Sequence, residues 1–262
     1  MARGEQPAPH REQVRHDRRT TWLVLGTLTV VVTLASVNVV HLRAFSVIVF
    51  CTLVPSVILH EVSHGVLALA FGDDTAKRAG RLTLNPLPHI DPFGTVVLPA
   101  LLAVTNVGAF GWAKPVPVTI SRLRRPRDHS LLVSLVGPAV NVLLAGSLAL
   151  LYRFVVPFGD RAIPILHLQP LWAQILFVGA YVNVILAVFN LIPLPPLDGA
   201  AVLERMIPVR MLAGYYRLRP YTLVLPLALV VVLNADPSLA SAVFSPVVDH
   251  LGVVLGTRLS GL

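Results

Sequence analysis

Long apolar runs constrain this chain more than any other feature of its sequence. Of its 262 residues, 55% are hydrophobic and only 13% are charged, whereas about a quarter of the residues in a soluble protein are charged. Several runs have about 20 residues, which is the length that a helix needs to cross a bilayer. The composition therefore predicts an all-α polytopic membrane protein.

About six hydrophobic segments are expected to form its membrane helices. They are residues 22–40, 46–71, 131–155, 171–193, 221–233 and 239–255. The segment between the second and third of these helices, residues 73–130, does not have the composition of a simple loop. It contains an alternating stretch, many turn-forming residues and a short apolar run at 94–110.

The run at 94–110 has basic residues on both sides, which argues against a simple crossing of the membrane. We therefore expect a small re-entrant or β-containing segment beside the helices, because nonhelical backbone at membrane depth must be shielded by protein or line a watery cavity. A full membrane span at 94–110 is the alternative.

The second apolar run contains the sequence His60-Glu61-Val62-Ser63-His64. On an α-helix His60 and His64 lie one turn apart on one face, with about 5–6 Å between their Cβ atoms, so both imidazoles reach one ion. Glu61 points about 100° away around the helix, which suits it to accept a proton from water at that ion. Each ionisable group at the centre of a spanning helix costs about 2.5–3.5 kcal/mol. A metal site of the zinc-hydrolase type is therefore indicated.

A catalytic zinc ion usually has three protein ligands and a fourth position for water, so the two histidines need a partner. Asp198 is favoured, because it follows a helix predicted to run antiparallel to the motif helix and to end near the same membrane face. His89 and Asp91 are the competing residues, and each is otherwise expected to order the loop or approach the substrate. Asn190 is a candidate for hydrogen bonding a substrate strand or an oxyanion, with joining of helices as the alternative.

The net charge of +8 comes from basic residues in short segments between the apolar runs. Such clusters are typical of cytoplasmic loops, so the charge indicates topology and not nucleic-acid binding. It places the N-terminus, the 111–130 loop and the 200–219 loop in the cytoplasm. The metal motif then lies in the cytoplasmic half of the second helix. The single cysteine, Cys51, excludes an internal disulfide.

Five stretches of the chain together resemble the site-2 protease family of intramembrane zinc metalloproteases. They are His60-Glu-Val-Ser-His64-Gly, Asn85-Pro-Leu-Pro-His-Ile-Asp-Pro92, Gly111-Trp-Ala-Lys-Pro-Val-Pro117, Gly137-Pro-Ala-Val-Asn141 and Asn190-Leu-Ile-Pro-Leu-Pro-Pro-Leu-Asp198-Gly. Their order and combination are far more specific than any one motif. Ala200 replaces the second glycine of the family's frequent Asp-Gly-Gly, which affects backbone freedom. No segment is long enough for the PDZ domain or CBS pair of some members, so a minimal form is expected.

The resemblance implies that His60, His64 and Asp198 hold Zn²⁺, that Glu61 is the general base and acid, and that Asn190 helps to position the substrate. His89 is a further candidate for contact with the substrate. The implied reaction is hydrolysis of peptide bonds within or near transmembrane helices of membrane proteins, for regulated proteolysis at the cell membrane. A non-enzymatic membrane metal-binding protein or transporter is the alternative, although the inverted repeats of transporters are not evident.

The resemblance also implies a core of three spanning helices, at 46–71, 131–155 and 171–193. We expect four regions along the chain. They are a disordered basic cytoplasmic tail at 1–20, a signal-anchor transmembrane helix at 21–44, an intramembrane metalloprotease core at 45–200, and C-terminal transmembrane or amphipathic helices at 201–262.

The predicted topology is testable by labelling of single cysteines in a Cys51→Ser background. Cysteines placed at Arg15, Arg124 and Arg210 should all resist an impermeant thiol reagent in intact cells, because each lies in an arginine cluster predicted to be cytoplasmic. Labelling after permeabilisation is the control for accessibility. Labelling of position 124 alone in intact cells would instead make 94–110 a full span.

Overall fold

The structure is a computed structural model that describes residues 44–97, 112–157, 169–215 and 224–255. The helices in these ranges are α1 (Ala44–Ala70), α2 (Thr75–Arg78), α3 (Pro126–Val155), α4 (Leu171–Asn190), α5 (Gly199–Met206), α6 (Val209–Tyr215), α7 (Val224–Ala235) and α8 (Pro237–Leu255). These ranges contain no β-strand. Helices α1, α3, α4 and α8 are long and apolar enough to cross a membrane, so the prediction of a helical polytopic membrane protein is confirmed.

The three helices predicted for the core are all present, with small differences at their ends. Helix α3 begins at Pro126, five residues before the apolar run, because proline suits the first turn of a helix and Asp128 offsets the partial positive charge there. Helix α4 follows Pro170 and ends at Asn190, three residues before Pro193, which cannot continue the hydrogen-bond ladder. Hydrophobic residues alone therefore do not indicate the polar first turn of α3.

Helices α1, α3 and α4 pack against one another around a shared apolar core. Small residues on the facing surfaces, including Ala145 and Ala149 of α3 and Ala180 of α4, are buried and let the backbones approach closely. Larger side chains fill the space at one end of the core, where Tyr152 of α3 and Phe177 of α4 meet edge to face. Helix α8 completes this core through Leu251 and Leu255.

Two of the remaining predicted segments lie outside the described residues. They are the polar tail at 1–20 and the apolar run at 22–40. The segment predicted at 221–233 is described from Val224 onwards as α7, which has 12 residues and is shorter than the four long helices. The number of six membrane segments therefore stays a prediction.

Of the segment predicted to be re-entrant or β-containing, residues 73–97 and 112–130 are described. The alternating stretch at 81–84 does not form a strand, and the backbone there follows turns and bends. Two hydrogen bonds join the two sides, from Lys114 N to His89 O at 2.8 Å and from Trp112 N to Gly94 O at 3.1 Å. The two sides are thus paired locally, but neither has the regular pattern of a strand.

Asp73, just after the end of α1, holds the backbone at Thr119, near the end of this segment. The carboxylate is fully buried. It accepts hydrogen bonds from the backbone N–H of Thr119, at 2.6 Å, and from the N–H and hydroxyl of Thr75. Burial alone would raise the pKa of Asp73, but these hydrogen bonds outweigh burial and hold the pKa below its ordinary value. The carboxylate therefore stays ionised, and its contribution to stability is lost only as acid protonates it through that lowered pKa.

We expect Asp73→Ala to destabilise the protein by about 1–3 kcal/mol at neutral pH, because the half-buried Thr119 N–H loses its acceptor. The measurement is the unfolding midpoint in detergent. Asp74→Ala is the matched control, because the ion pairs of Asp74 with Arg78 and Arg122 are exposed and such pairs contribute about 0–1 kcal/mol. Equal losses in the two variants would contradict the role given to Asp73.

Candidate metal centre

Three ionisable side chains converge between α1 and the turn that precedes α5. His60 and His64 lie one turn apart on α1 and are only 5% and 8% exposed. Their Nε2 atoms lie 3.0 and 3.4 Å from Oδ2 of Asp198. Ligand atoms arranged tetrahedrally at about 2.0–2.1 Å from a zinc ion are roughly 3.3 Å apart. The spacing of the three side chains therefore matches a zinc site.

Helix α3 holds the other ring nitrogen of each histidine. His60 Nδ1 lies 2.5 Å from Asn141 Oδ1, and His64 Nδ1 lies 2.6 Å from the backbone oxygen of Val133. Both partners are acceptors, so each Nδ1 carries the hydrogen and donates it. In the neutral ring, each Nε2 then presents a lone pair toward Asp198, which is the arrangement that histidine ligands of metals adopt.

The protonation of the histidines decides what fits between them and Asp198. Asp198 Oδ2 is buried and has no hydrogen-bond donor among the described residues. With both rings neutral it faces two nitrogen lone pairs, so three acceptors point at one another. Acceptors in contact repel unless a cation lies between them. The donor set of two imidazoles and one carboxylate is one that Zn²⁺ takes, and the residues present fit that ion.

Two glycines make this convergence possible. A Cβ added at Gly137 of α3 would lie 2.5–2.6 Å from the rings of His60 and His64, so only glycine lets α3 pass so close. A Cβ at Gly199 would lie 2.1 Å from the backbone oxygen of Leu191. The residue after Asp198 is therefore packed directly onto the end of α4, which holds the carboxylate in place.

Glu61 lies beside this group and is held by the 112–119 segment, the irregular stretch before α3. Its Oε2 accepts a hydrogen bond of 2.9 Å from the backbone N–H of Val116. The buried guanidinium of Arg81 donates to the backbone oxygen of Pro88, and burial lowers the pKa of Arg81 while the negative charge of Glu61 opposes that shift. Glu61 is thus held apart from the three converging side chains, and it interacts electrostatically with the Arg81 guanidinium.

The three converging residues and Glu61 line one cavity of about 260 Å³. Asn190, at the end of α4, also lines it and donates through Nδ2 to the backbone oxygen of Leu186 at 2.9 Å. The remaining wall comes from the stretch before α3, from the first turns of α3 and from the loop before α5. These residues are Pro115, Val116, Val118, Ile120, Ser130, Val133, Ser134 and Pro196.

The structure does not bring the two competing ligand candidates into this group. His89 is buried, and its Nε2 lies 2.9 Å from the backbone oxygen of Thr83. Asp91 accepts hydrogen bonds from the backbone N–H groups of Phe93 and Gly94. Neither His89 nor Asp91 is among the residues that line the cavity. Contact of His89 with a substrate stays a prediction.

Sequence reasoning gave no role to Asn141 and missed the contributions of Val133 and Val116. A signal was present for Asn141, because a polar residue inside a spanning helix usually has a partner or a function. The Val133 and Val116 contacts are made by backbone atoms, so the identity of the side chain does not indicate them.

Comparison with known proteins agrees with this geometry. The model of peptidase family M50 matches residues 161–233, a stretch that includes Asn190 and Asp198. No solved structure matches the chain significantly.

Among curated proteins, the Bacillus subtilis protein named "Putative zinc metalloprotease YwhC" is 39% identical over 162 residues, which is 60% of this chain and 68% of that protein. The Mycolicibacterium smegmatis protein named "Putative zinc metalloprotease Rip2" is 36% identical over 57% of this chain and 53% of its own length. The Rip2 protein of Mycobacterium tuberculosis H37Rv is 37% identical, with the same shares covered. The match thus spans about half the length of the Rip2 proteins. Given the coverage of YwhC, the chain belongs to peptidase family M50, the site-2 protease family of zinc metalloproteases.

Proposed function

We propose that this protein is an intramembrane zinc metalloprotease that hydrolyses peptide bonds within or near transmembrane helices of other membrane proteins, for regulated proteolysis. The observation that carries the proposal is the convergence of His60, His64 and Asp198 on one point beside a separately held carboxylate, Glu61. Metal storage or transport needs only His60, His64 and Asp198. Hydrolysis also needs a base that does not bind the metal.

In this proposal His60 Nε2, His64 Nε2 and Asp198 Oδ2 hold Zn²⁺. The ion would act as a Lewis acid, which makes water more acidic and polarises the scissile carbonyl. The hydrogen bonds of the two Nδ1 atoms to α3 fix the hydrogen of each neutral imidazole on Nδ1 and hold the ring correctly turned. The protein thus supplies a ligand set whose orientation is fixed before any substrate arrives.

Glu61 is the proposed general base and acid. The Val116 N–H holds Oε2, so the carboxylate is oriented by backbone and not left to rotate. Glu61 would accept a proton from the attacking water and then transfer it to the leaving amine nitrogen, a role that typically contributes about 10²–10⁴-fold to rate.

Asn190 is the proposed contact for the substrate carbonyl or the developing oxyanion. It lines the cavity with Asp198. One N–H of its amide donates to Leu186 O, and an amide nitrogen has a second hydrogen to donate. A donor aimed at the developing charge is worth about 2.7–4 kcal/mol in acyl-transfer enzymes.

A membrane helix hides its carbonyls in its own hydrogen bonds, so the substrate must be locally extended to react. The wall of the cavity includes Pro115, Val116 and Val118 of the 112–119 segment. Backbone groups outside regular secondary structure can pair with an added strand. The proposed substrate is therefore an unwound stretch of a transmembrane helix lying along this segment.

The arginine-rich segment at the start of α3 contacts the arginine-rich segment at 200–219. These contacts support the proposal that both segments, and the entrance to the site, lie at the same membrane face. Arg127 at the start of α3 donates to the backbone oxygens of Arg205 and Ile207, and Arg205 pairs with Asp128 at 3.2 Å. The two segments predicted to be cytoplasmic are thus neighbours at one end of the bundle. Val133 lies seven residues into α3, which is about 10 Å from its start, so the metal ligands lie just inside that end. We propose the cytoplasmic side of the cell membrane for it.

Replacement of Glu61 by glutamine tests the proposal, because it removes the basic carboxylate and retains the size and a hydrogen-bonding oxygen. We expect Glu61→Gln to retain zinc and to lose cleavage of a labelled transmembrane substrate by about 10²–10⁴-fold. Zinc per protein and cleavage product are measured together on the full chain in liposomes.

His60→Ala is the matched variant, which should lose both zinc and cleavage. A metal carrier would give a different pattern, with zinc retained in Glu61→Gln and no cleavage by the parent protein. Undiminished cleavage by zinc-loaded Glu61→Gln would remove Glu61 from the proposed mechanism.

A further inference from the structure

The two histidines of the metal centre are oriented by partners of different kinds. His64 Nδ1 faces the backbone oxygen of Val133, which can only accept a hydrogen bond. His60 Nδ1 faces the side-chain amide of Asn141, which could present either its oxygen or its nitrogen. If the nitrogen faced His60, the hydrogen of the neutral ring would move to Nε2 and block the atom that faces Asp198. Something must therefore fix the direction of the Asn141 amide.

A buried chain of hydrogen bonds leads from Asn141 into α4 and back to α1. Asn141 Nδ2 donates to Asn183 Oδ1 at 2.8 Å. Asn183 Nδ2 donates to the backbone oxygen of Gly179 and to Ser56 Oγ, each at 2.8 Å. The Ser56 hydroxyl donates to the backbone oxygen of Thr52 at 2.7 Å. Two backbone carbonyls thus terminate the chain.

These terminal carbonyls determine the direction of every bond in the chain. The oxygen of Gly179 can only accept, so the atom of Asn183 that faces it must be the nitrogen. The Asn183 oxygen then faces Asn141 and accepts from its nitrogen, which leaves the Asn141 oxygen toward His60. His60 must therefore carry its hydrogen on Nδ1.

The hydrogen bond to Ser56 independently requires the same orientation of the Asn183 amide. Because the Ser56 hydroxyl hydrogen is donated to Thr52 O, the Ser56 oxygen can only accept from Asn183. Asn141 and Asn183 are 0% and 1% exposed, so bulk water does not compete for their groups, and a reversed amide would place two donors or two acceptors in contact. Buried networks of this kind are costly to leave partly satisfied.

We propose that Asn183 is a positioning residue that sets the tautomer of His60 through the amide of Asn141 and thereby maintains zinc affinity. The residue lies on α4, two hydrogen bonds away from the imidazole. The inference rests on the proposed role of His60 as a ligand. Residues that orient ligands of a metal typically contribute about 10–100-fold to metal affinity.

Two substitutions of Asn183 separate this role from a structural one. Asn183→Leu has similar volume but no polar atom, so the Asn141 amide is free to reverse. Asn183→Asp retains an oxygen that accepts from Asn141 whether or not the acid is ionised, and the neutral acid can also donate to Gly179 O. Both variants disturb the packing of a buried site, but only the first removes the directing oxygen.

Two measurements on the full chain in detergent test the proposal. Competition with a chromophoric chelator gives zinc affinity, and ¹⁵N NMR of histidine-labelled, metal-free protein shows which ring nitrogen of His60 carries the hydrogen. The His60 signals are assigned as those lost in His60→Ala. We expect Asn183→Leu to weaken zinc binding about 10–100-fold and to populate the Nε2–H tautomer.

Asn183→Asp should retain most of the affinity and the Nδ1–H tautomer, even where its unfolding midpoint falls as far as that of Asn183→Leu. Ser56→Ala is the matched control, because Gly179 O still directs Asn183, and it should change affinity by far less than Asn183→Leu. Unchanged tautomer in Asn183→Leu, or equal losses of affinity in both Asn183 variants, would overturn the proposal. A parent protein that binds no zinc would instead refute the proposed function, and the metal-free tautomer measurement would still decide this inference.

Discussion

The hydrogen bonds that α3 makes to the two histidines of α1 are the constraint on which this site depends. They place the hydrogens of the neutral imidazoles on Nδ1, so the lone pairs of His60 and His64 point at Asp198. Three acceptors then meet in a buried space, an arrangement that is unfavourable without a cation. Binding of a metal and packing of the helices are therefore coupled, because the ion relieves a repulsion that the packing itself creates.

Close packing of the helices leaves little room for variation in sequence at this centre. One added methyl group at Gly137 would collide with both imidazoles, and one at Gly199 would collide with the end of α4. The 112–119 segment is also held, by Asp73 at one position and by the Glu61 carboxylate at another. The same contacts that shape the fold thus place the proposed base beside the proposed metal.

The sequence was sufficient to predict the features that depend on local periodicity. The spacing of His60 and His64 places them on one helical face, and the antiparallel order of the apolar runs brings the turn at Asp198 back to the same membrane face. The structure brings these three residues together as that reasoning requires. The start of α3 was predicted five residues too late, because its first turn is polar.

Features that depend on contacts between distant segments could not be predicted. The link from Asn141 to Asn183 joins residues 42 positions apart, and no local pattern distinguishes it from two unrelated buried amides. The Val116 N–H that orients Glu61 is a backbone group, which every residue except proline has. The alternating stretch at 81–84 does not form a strand, because an alternating pattern indicates a strand only when a partner strand lies beside it, and the described neighbours form none. The re-entrant or β-containing segment therefore stays a prediction.

Metal content shows whether Asp198 binds zinc together with the two histidines. Zinc per chain is measured by elemental analysis of purified parent, Asp198→Ala, Asp198→Asn and His89→Ala proteins, after exposure to equal zinc and removal of excess. We expect about one zinc ion in the parent and in His89→Ala, and strongly reduced zinc in both Asp198 variants, because a site with two ligands is incomplete. Zinc retained in the Asp198 variants and lost from His89→Ala would show that Asp198 is not the third ligand.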